Sequence, residues 1–228
     1  MVVYVHGLWL NGWESLLLRR RLSRQLRCEA LSFRYSSVGV GLRENAQALA
    51  AFLARVRADT LHLVGHSMGG LVILELFEGG HIVQEGGARS VALPPGRIVL
   101  LGAPVRGSRA ARNLAQLPFG RRILGLTAHE VLLPASDRSW PGARDLGVIA
   151  GNLPVGFGRF MGPFDSPSDG TVLVEETQLG GAKQHLTLRT THSGMVYSAL
   201  VARQITSFLR DGHFAAEAVF HESESRRR

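Results

Sequence analysis

A single cysteine, Cys28, stands among 228 residues, so no disulfide can close within the chain and no cysteine-based zinc site exists. Nothing therefore points to an oxidising compartment. No apolar stretch approaches the ~20 residues that span a bilayer, so a soluble protein is expected. The first apolar run begins at Val2 and His6-Gly7 follows at once. That leaves out the basic, apolar and small-residue series of a cleavable leader, and cytoplasmic residence is the expectation. Acidic residues are the minority, 18 against 26 basic ones, and the formal charge of +8 comes almost entirely from arginine. The runs Arg19-Arg20-Arg21 and Arg226-Arg227-Arg228 lack the interleaved aromatics of a nucleic-acid surface, so no nucleic-acid partner is expected. Solvated helix faces and a frayed tail account for these runs, while peripheral contact with anionic membranes stays open.

What is present suits one sizeable core. With 45% hydrophobic residues the chain is read as a single domain over residues 1–212, followed by a charged, flexible tail at 213–228. Short β-rich runs at residues 2–5, 30–35, 61–64, 98–101, 146–150 and 186–190 alternate with helical patterns at 13–26, 43–57, 68–79 and 194–209. Apolar runs without polar alternation, such as Val2-Val3-Tyr4-Val5, belong in strands covered on both faces. The rhythm predicts an α/β protein: a mostly parallel sheet of about six strands, helices on both faces, and ligand chemistry at the carboxyl ends of the strands. Two segments break it. Residues 104–144 hold more apolar side chains than a bare loop and read either as a small cap over the site or as an ordinary crossover helix with ragged ends. Residues 152–170, rich in Gly, Pro, Phe and Ser, read as an irregular loop.

The chemistry gathers around Gly65-His66-Ser67-Met68-Gly69-Gly70, set between a predicted strand and a predicted helix. Glycines on both sides permit a sharp turn that exposes the Ser67 hydroxyl at a helix start, so Ser67 is the candidate nucleophile. A serine needs a base, and the base an orienting carboxylate. His192 lies beyond the last predicted strand, at the correct edge of the sheet, whereas the other histidines sit in loops, tails, a strand interior, or, for His66, beside the elbow and turned away from Ser67. Asp169 in Ser168-Asp169-Gly170 is the favoured acid, because the following glycine allows a tight turn; Asp165 on the same loop is the alternative. Donors for a developing oxyanion would be the N–H groups of Met68 and of Leu8, in the loop after the first strand.

Together the pieces His6-Gly7-Leu8, the Ser67 hexapeptide, Ser168-Asp169-Gly170 and Thr191-His192-Ser193 resemble the bacterial triacylglycerol lipase and esterase branch of the α/β-hydrolase superfamily, close to its small lipase-like members. The resemblance implies a three-layer α/β-hydrolase fold and the same roles for Ser67, Asp169, His192, Leu8 and Met68. Larger lipases of that branch carry a mobile lid and a calcium ion held partly by an aspartate two residues past the catalytic histidine; here that position is Gly194. The expectation is thus a compact serine carboxylesterase for short to medium acyl esters of small molecules or lipids, with no metal and no cofactor. Lipase action on longer chains, thioester, amide or acyl-transfer chemistry, and a non-catalytic binding module are the alternatives.

Overall fold

The structure, a computed structural model, describes residues 1–80, 93–133, 137–156 and 166–216. Six strands, β1 (Val2–Val5), β2 (Ala30–Phe33), β3 (His62–His66), β4 (Ile98–Leu101), β5 (Leu146–Gly151) and β6 (Gln184–Leu188), form one sheet in the order β2-β1-β3-β4-β5-β6. Every neighbouring pair is parallel. Because the side-chain period of a strand is two, each strand serves two cores. Val3, Val5, Leu63, Leu100 and Val148 pack under α2 (Leu42–Leu53) and α3 (Met68–Glu78). Val2, Tyr4, Val64, Val99 and Ile149 pack under α1 (Leu16–Leu26) and α6 (Ala199–Asp211). This is the three-layer α/β-hydrolase architecture.

Register brings the site together. Val5 lies opposite Gly65, and His66 opposite Leu101, so β1, β3 and β4 finish almost level. The order also reverses at β1, which sends one crossover each way and leaves a crevice beyond the β1 and β3 carboxyl ends.

The long crossover after β4 contains two helices, α4 (Arg109–Gln116) and α5 (Gly120–Val131). They bury Leu114 and Leu124 but leave Leu117, Phe119, Ile123 and Leu126 exposed. α5 breaks at Gly125, whose φ is 77°, and there Leu126 N–H donates to the Val38 carbonyl at 2.8 Å. Trp9 Nε1 donates to the Ile123 carbonyl at 2.9 Å, and Glu130 accepts the Leu42 N–H at 2.9 Å. This two-helix crossover, termed the cap for its position over the cavity, is thus fastened to the loops after β1 and β2.

Several boundaries differ from the sequence expectations. β6 begins two residues before the predicted run and ends at Leu188, because Thr190 N–H turns back to the Leu188 carbonyl. It is an edge strand and tolerates exposed Gln184 and His185, which hid it from apolar patterning. The last helix starts at Ala199 rather than near Gly194: a 3-10 turn, Ser193–Val196, intervenes and Ser198 caps α6 by accepting the Val201 N–H. The tail expected to be free from residue 213 stays docked through Ala215, with the Phe214 ring tilted against that of Phe208 at 4.9 Å and Gln204 paired with the Ala215 backbone. The rest of the expected tail, residues 217–228, lies outside the described residues.

Gly69 sets how closely α3 approaches the sheet, since a Cβ there would lie 2.2 Å from the Val5 carbonyl oxygen and 2.4 Å from that of His6. Backbone cannot yield as a side-chain tip can, so Gly69→Ala is expected to destabilise the fold by about 2 kcal/mol or more. Thermal or urea unfolding checks this, with Gly180→Ala, which would meet nothing closer than 3.4 Å, as the control.

Candidate active site

At the end of β3 the chain turns through Ser67, a non-glycine residue at φ 54°, ψ −126°. Such a conformation costs about 1–3 kcal/mol and persists only where its surroundings enforce it. Here Ser67 N–H is tied to the Leu101 carbonyl at 2.8 Å and its carbonyl accepts the Gly70 N–H at 3.0 Å. The turn lifts Ser67 into a cavity that His192 also lines.

His192 and Asp169 are joined twice. The imidazole Nδ1 donates to Asp169 Oδ2 at 2.7 Å, and the His192 N–H donates to the Asp169 carbonyl at 2.8 Å. Asp169 is 1% exposed, and its other oxygen, Oδ1, accepts the N–H groups of Thr171 at 2.9 Å and Val172 at 2.7 Å. Both carboxylate oxygens thereby accept hydrogen bonds. Gly170, at φ 89°, makes the turn that the sequence suggested, and Asp165 lies outside the described residues. With Nδ1 committed to Asp169, His192 presents a lone pair on Nε2. Gly102, which the sequence did not single out, admits the pair: a Cβ there would sit 3.0 Å from Asp169 Oδ2 and 3.1 Å from His192 Nδ1.

Leu8 and Met68 bring two backbone donors to the same region. No acceptor for either N–H occurs among the described residues, whereas Trp9 N–H and Leu10 N–H are bonded to Ser37 Oγ and the Gly7 carbonyl. Met68 opens α3, where the helix dipole favours negative charge. The Leu8 amide is oriented by its own peptide plane. His6 Nδ1 donates to the Gly7 carbonyl at 2.9 Å, and a trans peptide points its N–H opposite to its C=O. His6 is in turn fixed by Tyr35, which stacks on it at 4.3 Å, donates its N–H to Nε2 and donates its hydroxyl to the His6 carbonyl.

His66 departs from expectation. Expected to turn away from Ser67, it is among the residues that line the cavity, and its Nε2 donates to the His192 carbonyl at 3.1 Å, with the two rings 4.8 Å apart. Strand alternation does not reveal this, because the contact depends on a loop 126 residues away. Glu176 was also missed. Buried at 5% exposure, it accepts the Leu173 N–H at 2.9 Å and the Arg109 N–H at 2.5 Å. It therefore couples the Asp169 loop to the first turn of α4.

The cavity measures about 360 Å³. Ala110, Ala111, Leu114 and Leu124 of the cap give it an apolar wall facing Ser67 and His192. A strained serine at a strand-to-helix turn, a histidine bonded to a buried aspartate, and two unpaired N–H groups define a site of the α/β-hydrolase class.

The sequence profile of the alpha/beta hydrolase family matches residues 2–218, and the chain belongs to that family. Among solved structures it is similar to a Bacillus licheniformis lipase, BlEst2 in mature form, at 17% identity and a TM-score of 0.66, covering 91% of this chain and 89% of that one. The lin2722 product of Listeria innocua gives 14% identity and a TM-score of 0.59 over 95% and 96% of the two chains. A metagenomic carboxyl esterase, MGS0156, gives 19% identity and 0.57 over 84% and 64%. At these identities the likeness is one of fold. No curated protein sequence matches the chain.

Among the histidines that burial pushes down from 6.5, His66 falls to about 3, aided by His192, and His62 to about 4, aided by the N-terminal amine, Arg97 and Arg144. Both stay neutral in the folded protein over a range in which the unfolded chain takes up protons. Stability should therefore be full above the unfolded value of 6.5 and fall as pH drops toward about 4. Urea midpoints across that window check this. In His62→Asn, which keeps an acceptor for the Arg97 N–H, the decline should be shallower.

Proposed function

We propose that the chain is a serine carboxylic-ester hydrolase acting through a covalent acyl-enzyme on short to medium acyl esters. The observation that carries this reading is the 2.7 Å bond between His192 Nδ1 and the buried Asp169 carboxylate, beside a cavity shared with Ser67. In the proposed cycle His192 Nε2 removes the Ser67 proton as Oγ attacks the ester carbonyl. The tetrahedral oxyanion is held by Leu8 and Met68 N–H, each such donor being worth about 3 kcal/mol. His192 then passes its proton to the leaving alcohol, and water activated by the same nitrogen releases the acid. Asp169 holds the imidazole in the required tautomer and stabilises its cation.

The substrate range follows from the wall. Its volume of about 360 Å³ holds about a dozen groups at the ~30 Å³ that a water-sized group occupies. The apolar lining favours an alkyl chain over a charged group. That the comparisons include proteins described as a lipase and a carboxyl esterase supports ester hydrolysis over other family chemistry.

Ser67→Ala is expected to abolish both p-nitrophenyl ester hydrolysis and labelling by a fluorophosphonate probe while leaving the fold intact. Asp169→Asn should keep the fold but lower kcat by about 10⁴-fold, because the amide no longer fixes the histidine tautomer. Across p-nitrophenyl esters the rate should peak at about four to eight carbons, since a cavity of about a dozen groups has to hold part of the alcohol as well as the acyl chain. Undiminished hydrolysis by Ser67→Ala would refute the mechanism, and a maximum at sixteen carbons would refute the proposed range.

A further inference from the structure

Eleven large apolar side chains remain exposed among the described residues, and all lie toward the carboxyl edge of the sheet. Trp9, Leu10 and Trp13 follow β1, where Trp9 and Leu10 line the cavity mouth. On the cap, Leu117, Phe119, Ile123 and Leu126 are between 49% and 78% exposed. The other four follow the ends of β1, β2, β5 and β6. The opposite edge is charged, with Arg97 and Lys183 both paired to Asp145. A surface whose exposed apolar groups collect around one opening marks an interaction face rather than ordinary scatter.

Charge says what it faces. Arg121 and Arg122 are exposed on α5 among these apolar groups, and neither has an ion pair among the described residues. Arg34 sits over the exposed Trp13 ring at 5.4 Å. The acids of the same segments do not cancel that charge: Glu14, Glu44 and Glu130 stand against Arg34, Arg43, Arg106, Arg121 and Arg122, while Glu175 and Glu176 are paired with Arg109 and Arg112. The rim is thus apolar and cationic. By contrast, the Arg19 and Arg21 side chains are tethered to Ser15, the Ala30 carbonyl and the Tyr197 carbonyl. A two-fold dimer through this face would set the arginine pairs against each other, which disfavours a second copy as occupant.

We propose that this rim docks on the surface of an anionic lipid bilayer, with Phe119, Ile123 and Leu126 entering the headgroup boundary and Arg121 and Arg122 meeting lipid phosphates. Tryptophans at such a boundary keep their rings at headgroup depth, as Trp9 and Trp13 would. The docking stands on the surface alone. Its consequence, that the cavity mouth is presented to lipid acyl esters, rests on the ester-hydrolase reading.

Sedimentation of the full chain, as Ser67→Ala to prevent turnover, with vesicles of phosphatidylcholine containing phosphatidylglycerol tests the docking. Binding is expected, weaker on pure phosphatidylcholine and weaker in high salt. Arg121→Glu with Arg122→Glu should lower partitioning about tenfold or more. Phe119→Asn with Leu126→Ser should lower it comparably, asparagine being suited to the left-handed φ of 62° at that position. With Ser67 restored, both pairs should hydrolyse a water-soluble p-nitrophenyl ester at the parent rate, which separates docking from chemistry. No sedimentation with either vesicle, equal binding by the variants, or binding to polyglutamate but not to vesicles would overturn the proposal. So would a dimer in solution that the variants dissolve.

Discussion

The site depends on one close backbone contact, the seating of the α3 N-terminus on the end of β1. Gly69 lies against the Val5 and His6 carbonyls with no room for a side chain, and Gly65 lies as tightly against Gly70. That contact fixes the Ser67 turn, sets Met68 N–H at the helix start and brings the loop after β1 against it, where a Cβ on Gly7 would come 3.0 Å from Ser67 Cβ. A side chain anywhere in this junction would push helix and strand apart and move the two unpaired N–H groups with them. The strain at Ser67, about 1–3 kcal/mol, is balanced by the fully buried strands on either side rather than by local bonds alone.

Much of this was legible from residue order. Strands covered on both faces announce themselves as apolar runs, and β1, β3 and β4 were located within a residue or so for that reason. A glycine-flanked serine between strand and helix has few other uses. Asp169 and His192 were legible because their positions after β5 and β6 require no knowledge of side-chain direction, only of which edge of a parallel sheet each loop must reach. Three things were not legible. β6 begins with exposed polar residues because an edge strand can afford them. The His66 ring direction is decided by the carbonyl of His192, which no local pattern contains. Residues 104–144 read either as a small cap or as a crossover helix, and Leu114, Leu124, Leu132 and Trp140 are buried, but a sequence pattern cannot separate a side chain that lines a cavity from one that faces outward across the same short helix.

That ambiguity in the cap is informative. A helix that only covered the cavity would bury Leu114 and Leu124 and turn polar groups outward, as α1 does with its arginines. α5 instead carries apolar groups on both sides, and its break at Gly125 lets Leu126 lie outward while Leu124 points into the cavity lining. The cap is also not loosely hung. Glu176 binds its first turn to the loop that holds Asp169, Glu130 binds its second helix to the start of α2, and Trp9 reaches it from the loop that bears Leu8. The loop that bears Leu8 and the loop that bears Asp169 are therefore each tied to this segment through one hydrogen bond or two. A displacement of the rim on contact with another surface has a direct mechanical route to the Asp169 loop through Arg109, Glu176 and Leu173. The energetic asymmetry is plain: Glu176 is buried, and burial raises its pKa against the pull of the Leu173 and Arg109 amides and of Arg112 and Arg109. Separating it from those amides would leave a buried carboxylate unsatisfied, so cap and acid loop are expected to move together or not at all.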